Sequence, residues 1–179
     1  MRFKRRRGQV TADVDALEAD LLTAMTSDLL GLLGEGGAAD EDPLAALVGL
    51  STAPVATPTD PALARLLPDA YADDDQAAAD FRRYTEADLR SGKRANATVV
   101  LATLAPYVDA GGRMALDRDS VDAWLGCLND LRLVLGTRLA VTQETDVVPA
   151  GADPRSHALQ VYGWLGWLQE SLLSCLSPR

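Results

Sequence analysis

Between Val121 and Leu139 the chain reads VDAWLGCLNDLRLVLGTRL, with apolar residues on nearly every side of a helix. Trp124, Leu128, Leu131, Leu135 and Leu139 recur at helical spacing along one face, and Val121, Leu125 and Val134 lie beside it. A helix that is apolar around most of its circumference has to be surrounded by other elements. The stretch DPRSHALQVYGWLGWLQESLLSCL supplies one of them. Asp153 as N-cap and Pro154 at the first helical position open it. Val161, Trp164, Leu165, Leu168 and Leu172 form its stripe, broadened by Tyr162 and Trp167. The two helices are expected to pack on each other at the centre of a bundle.

The remaining segments fit around that pair. Residues Arg2 to Val10 read as extended, and Thr11 or Asp13 caps a helix with Asp15 and Glu18 in its first turn. Val14, Leu17, Leu21, Met25, Leu29 and Leu32 give that helix an apolar face up to Gly34. Residues 34–59 turn to Gly, Pro, Ala, Thr and acids, a flexible insertion. Asp60–Pro61 opens a short helix that Pro68 ends. A long helix then runs from the Asp73–Asp75 triplet toward Leu104, with Thr85 and Gly92 as points of interruption. The triplet lacks the spaced oxygen ligands and loop glycine of a calcium site, so it reads as helix N-terminal charge. A turn at Gly111–Gly112 leads to an extended Arg113–Leu116, after which Asp117 or Asp119 caps the central helix. Aromatics are only 5% of the chain while Ala and Leu abound, which favours helices. The expected fold is all-α: one helical bundle over residues 1–179, with room for a minor two-strand element from Arg2–Arg5 and Arg113–Leu116.

Charge limits the partners. The chain carries 17 basic and 26 acidic residues, a net of −9. Arg2, Lys4, Arg5, Arg6 and Arg7 hold five of the basic groups, so the remainder has 12 against 26, a net of −14. A body this acidic repels phosphate backbones, so nucleic acid is reachable only through a local basic patch. The N-terminal run is that candidate; its plainer reading is a solvated arm. No apolar run approaches the length that spans a bilayer. No apolar leader region follows the basic start, and two cysteines do not make a secreted scaffold. A cytoplasmic protein is expected, with no membrane partner.

Catalytic chemistry finds little to work with. His157 is the one histidine, and Cys127 and Cys175 lack the paired spacing of a zinc site. Asp153, Ser156 and His157 fall within one turn at a helix start, where capping explains them better than a triad does. No catalytic residue, cofactor or metal is expected. Flanked by apolar residues, Cys127 and Cys175 read as buried free thiols, the redox pair being the sharper alternative; Cys175, near its helix end, is expected to react faster. Asn129, Asp130, Arg132 and Arg138 on one helix face Gln169 and Glu170 on the other. They read either as a polar network aligning the two helices or as a ligand or partner contact.

Three blocks together, LARLLPDAYADDDQAAADFRRYTEADLRSGKRANATVVLATL, AWLGCLNDLRLVLGTRLAVTQE and YGWLGWLQESLL, carry a resemblance. The chain resembles an actinobacterial domain-of-unknown-function family whose members are named oxidative-stress transcriptional regulators of the AosR type. The likeness covers nearly everything outside 34–59. It implies a small cytoplasmic helical protein that controls redox-responsive transcription through contact with a sigma factor or another transcription component. The basic N-terminal segment here contains no cysteine, which departs from a close thiol pair. A non-enzymatic regulator or adaptor working through protein–protein contact is the leading reading. A direct DNA binder using the basic run and Phe81–Arg94 is its rival; no helix-turn-helix with a basic recognition helix is evident.

Overall fold

The computed structural model describes residues 1–6, 8–34, 57–71, 74–145 and 153–176. Most of the expected insertion over 34–59 therefore lies outside the described residues, as do Arg7 and Asp73. Strands β1 (Arg2–Arg6) and β2 (Gln9–Val14) lead into helix α1 (Ala16–Leu33). Short α2 (Pro61–Leu66) and long α3 (Asp75–Leu104) follow, and a 3-10 turn over Ala105–Tyr107 brings the chain to β3 (Gly112–Leu116). Helices α4 (Arg118–Arg138) and α5 (Pro154–Leu176) complete the fold.

The protein is mostly α-helical, but the β component is larger than expected. Three antiparallel strands pair in the order β1-β2-β3. Arg2–Arg5 does not pair with Arg113–Leu116 directly, because β2 lies between them: Phe3 faces Ala12, and Ala12 faces Met114. Thr11 and Asp13, expected as helix caps, are strand residues. Val10, Ala12 and Val14 are buried while Asp13 is exposed, so the period there is two. The cap falls to Asp15, whose carboxylate accepts the Glu18 N–H at 2.8 Å while Glu18 accepts the Asp15 N–H at 3.1 Å, a reciprocal box.

That shift of the helix start goes with a rotated face. The buried stripe of α1 is Ala19, Leu22, Thr26, Leu29 and Leu33, and Leu17 is left 78% exposed. Two leucine stripes were available on this helix, and packing against α3 selected the second. Helix α3 runs its 30 residues without interruption at Thr85 or Gly92. Asp74 caps it by accepting the Ala77 N–H at 3.0 Å. Asp117, not Asp119, caps α4.

Helix α4 is the element that the others cover. It packs on α3, α2, α5 and α1. Trp124 is fully buried, donates its indole N–H to Thr103 on α3 at 2.9 Å, and meets the Phe3 ring edge-on at 5.4 Å. Helix α5 is less central than expected. Leu165, Leu168 and Leu172 are buried, but Trp167 and Leu173 on its other side stay exposed. Strand β1 docks on α5, where the Phe3 N–H donates to Ser171 Oγ at 3.3 Å.

The entry to β3 depends on a residue without a side chain. Gly111 has φ +62°, and a Cβ there would stand 2.7 Å from the Val14 carbonyl oxygen. Neither atom of that clash belongs to a flexible side chain. Gly111→Ala is expected to lower stability by about 2 kcal/mol or more, read as a reduced denaturant midpoint with unchanged slope.

Candidate functional site

The polar residues of α4 do not form one network with α5; they make separate contacts. Asp130, 2% exposed, receives the Lys93 ammonium of α3 at 2.6 Å and a hydrogen bond from exposed Asn129. Burial pushes the Asp130 carboxyl up from its ordinary value, and the Lys93 ammonium pulls the other way. Arg138 reaches Asp60, the N-cap of α2, at 2.5 Å on a partly exposed surface. Asp60 also accepts the Ala62 N–H at 2.8 Å, and its carboxyl is held below the usual range chiefly by the Arg138 hydrogen bond.

Arg132 is the α4 residue that does reach α5. Its Nη1 donates to Gln169 Oε1 at 2.7 Å, and the guanidinium lies 5.3 Å from the centre of the Tyr162 ring. Its Nε is buried without a hydrogen-bond partner among the described residues. The close approach depends on two glycines: a Cβ on Gly166 would meet Arg132 Nε at 3.4 Å, and one on Gly136 would meet the Tyr162 ring at 3.0 Å. Arg132, Tyr162, Trp167, Gln169, Leu173 and exposed Glu170 are among the residues that line an open cleft of about 530 Å³.

The Phe81–Arg94 segment, read from the sequence as part of a DNA-binding surface, holds two charged sites whose ion pairing was not anticipated. Arg82, 5% exposed, donates to the Leu67 carbonyl at 3.2 Å and to Glu86 at 2.9 Å, and pairs with Asp69. Glu86 is shared with Arg90 at 2.6 Å, and Arg90 and Arg94 cap carbonyls at the C-terminal end of α1. A signal for these residues was present. Positions 82, 86, 90, 93, 97, 100 and 104 share one helical face, so the apolar stripe Ala97–Val100–Leu104 continues into charged residues that also turn inward.

The basic run forms a strand, not a free arm. Phe3 is buried while Arg2, Lys4, Arg5 and Arg6 remain exposed. Arg2 covers the Trp167 ring at 5.9 Å, and Arg113 on β3 pairs with Asp13 at 2.8 Å. Asp153 acts as a cap: it accepts the Arg155 and Ser156 N–H groups at 3.0 and 3.1 Å and the Ser156 hydroxyl at 2.6 Å, while His157 is exposed. Cys127 and Cys175 are both free and both buried. Burial pushes the Cys127 thiol up to about 12. Cys175 is not exposed by its place near the helix end; its Sγ lies 3.2 Å from the Ser171 carbonyl. Its thiol is raised by burial, with Arg5 and Arg2 opposing.

Fold and side chains together define a mostly helical protein in which buried ion pairs and a small sheet hold helices around α4. Among the described residues no group of three or more metal-ligating side chains forms a site, and no helix is long and apolar enough to cross a membrane. The chain belongs to the family described as a domain of unknown function (DUF2017), whose match covers residues 1–176. It is similar to a protein of Mycobacterium leprae named "Putative oxidative stress regulator AosR", at 37% identity over 174 residues. Proteins of Mycobacterium bovis and Mycobacterium tuberculosis named "Oxidative stress regulator AosR" match at 35% over 173 residues. Each comparison covers 89% of this chain and 78% of the relative. No solved structure matches.

The Asp130–Lys93 pair makes a pH-dependent prediction. A carboxyl whose folded-state pKa is raised favours folding most when protonated, and that contribution is lost as pH rises through the folded value. Lys93→Met removes the opposing pull and leaves a buried carboxylate unpaired. It is expected to cost about 3 kcal/mol at neutral pH, and the loss should shrink as pH falls and Asp130 takes up a proton. Adding Asp130→Leu should recover most of the loss. Urea titrations across a pH series check both expectations.

Proposed function

We propose that this chain is a non-enzymatic regulatory protein that acts by binding another protein, in transcription linked to oxidative stress. The observation that carries the reading is the similarity, across 89% of the chain, to proteins named as oxidative stress regulators. The geometry supports the protein-contact part. Asp130 and Arg138 are occupied in fastening helices and Asn129 bonds its neighbour Asp130, whereas Arg132, Gln169 and Glu170 border a cleft open to a partner. A sigma factor or another transcription component is the partner class, the location is cytoplasmic, and residues 1–179 act as one domain carrying the 34–59 insertion. The rival reading, direct DNA binding, draws on the exposed cations of β1 and on Phe81–Arg94, but Arg82, Arg90 and Arg94 are engaged by Asp69, Glu86 and backbone carbonyls, and the net charge of −9 opposes a long polyanion.

Affinity capture from the native host with quantitative mass spectrometry tests the proposal. A stoichiometric transcription component is the expected result. Promoter fragments retained at physiological salt, and released by Lys4→Glu with Arg6→Glu, would instead favour the rival.

The thiols enter this reading as structural groups. Cys127, with a pKa near 12, should remain unmodified by iodoacetamide at pH 8 until the protein is unfolded, and Cys175 should react first. Peroxide should leave the monomer mass free of the two-hydrogen loss that marks an internal disulfide. Intact-mass analysis under non-reducing conditions reads both.

A further inference from the structure

The outer face of β1 and the cleft beside it form one continuous surface. In strand geometry Arg2, Lys4 and Arg6 point to the same side, about 7 Å apart, and all three are exposed. Arg2 at the end of this row lies over Trp167, and Trp167 lines the cleft whose inner wall holds Arg132. Arg132 brings a cation whose Nε has no hydrogen-bond partner there. The cleft also exposes apolar surface, with Trp167 at 44% and Leu173 at 49%. Along this path four cations, Arg2, Lys4, Arg6 and Arg132, meet two carboxylates, Glu170 in the cleft and Asp13 opposite Arg2, and Asp13 is already paired with Arg113.

We infer that this strip binds an extended acidic segment of a protein partner, with carboxylates along β1 and an apolar side chain seated in the cleft against Trp167 and Leu173. Charge complementarity selects the occupant. An extended peptide with acids at alternate positions repeats its charge every 7 Å or so, the spacing of the β1 cations. The carboxylate nearest the cleft is drawn by the Arg132 charge, whose Nη1 stays with Gln169. A nucleic acid fits less well, because its length would run onto the acidic remainder of a chain whose net charge is −9. The inference deepens the protein-contact reading above and rests on it.

The test uses the full chain and a fluorescein-labelled peptide of about ten residues in which Glu alternates with Thr before two leucines. Fluorescence anisotropy should show saturable binding that weakens with salt, and a peptide with Lys in place of Glu should not bind. Lys4→Glu with Arg6→Glu, Trp167→Ala, and Arg132→Met should each reduce affinity by about tenfold or more. Arg83→Gln, on α3 and paired there with Asp80, should change it by less than about twofold. The β1 pair and Trp167 are exposed, so circular dichroism should show those variants folded. Absence of saturable binding, variants that bind the acidic peptide as wild type does, or tighter binding of an oligothymidylate of similar length each overturn the inference. A host partner captured equally well by wild type and by the β1 variant would overturn this surface while leaving the protein-contact reading standing. No captured partner, with the peptide also unbound, would remove both.

Discussion

Trp124 is the residue around which the molecule is assembled. Its indole is large and fully buried, and its one N–H needs an acceptor inside the protein, so its neighbours must provide both shape and a hydrogen bond. Thr103 of α3 provides the acceptor and Phe3 of β1 the edge-on ring. With one residue the central helix is thus tied to the longest helix and to the sheet. The sheet in turn is needed because four helices do not cover α4 completely. Phe3, Val10, Ala12, Met114 and Leu116 line its inner face and close the remaining side of the core.

Buried charge follows from the same arrangement. Helix α3 is longer than the apolar surface it packs against, so its inward face changes from Ala97, Val100 and Leu104 to Lys93, Arg90, Glu86 and Arg82. Each of these cations finds an oxygen: Asp130, the Leu33 carbonyl, Glu86 or the Leu67 carbonyl. Leaving any of them unanswered costs more than an exposed pair would gain. The charges of α3 are therefore fasteners, which separates them from the exposed cations of β1. Arg132 stands between the two groups, held by Gln169 and Tyr162 yet bordering an open cleft.

Helix positions and most caps were legible in the sequence because they rest on local rules. Asp153 with Pro154, Asp60 with Pro61, and the apolar periodicity around Trp124 depend on residues within a turn or two of one another. Strand β2 was harder to read. Its alternation covers only Val10, Ala12 and Val14, and it runs into a helical pattern that Asp15 begins, so a capping residue two positions early looked equally good. The site was partly legible: the sequence offered Arg132 and Gln169 among several residues that could meet across the helices, without choosing the pair, and Lys93 as the partner of Asp130 was not singled out. That pairing joins positions 37 apart, and sequence spacing says nothing about which charged residue of a neighbouring helix will arrive at the same depth.

The sequence alone determined that helices would surround a central apolar one, since a segment apolar on all sides has no stable alternative to burial. It also determined the acidic body and the concentration of cations at the N-terminus. Only the tertiary structure decided which face of α1 is buried, because Leu17, Leu21 and Met25 make the other face the more apolar in sequence, yet Ala19, Leu22, Thr26 and Leu33 are the residues packed inside. The basic run already read as extended, but only the tertiary structure set β2 between it and β3. The pairing of Ala12 with Met114 joins segments about a hundred residues apart, and no local pattern carries that information. Once Phe3 is buried against Trp124, the alternation of the strand places Arg2, Lys4 and Arg6 together on the opposite side, facing solvent.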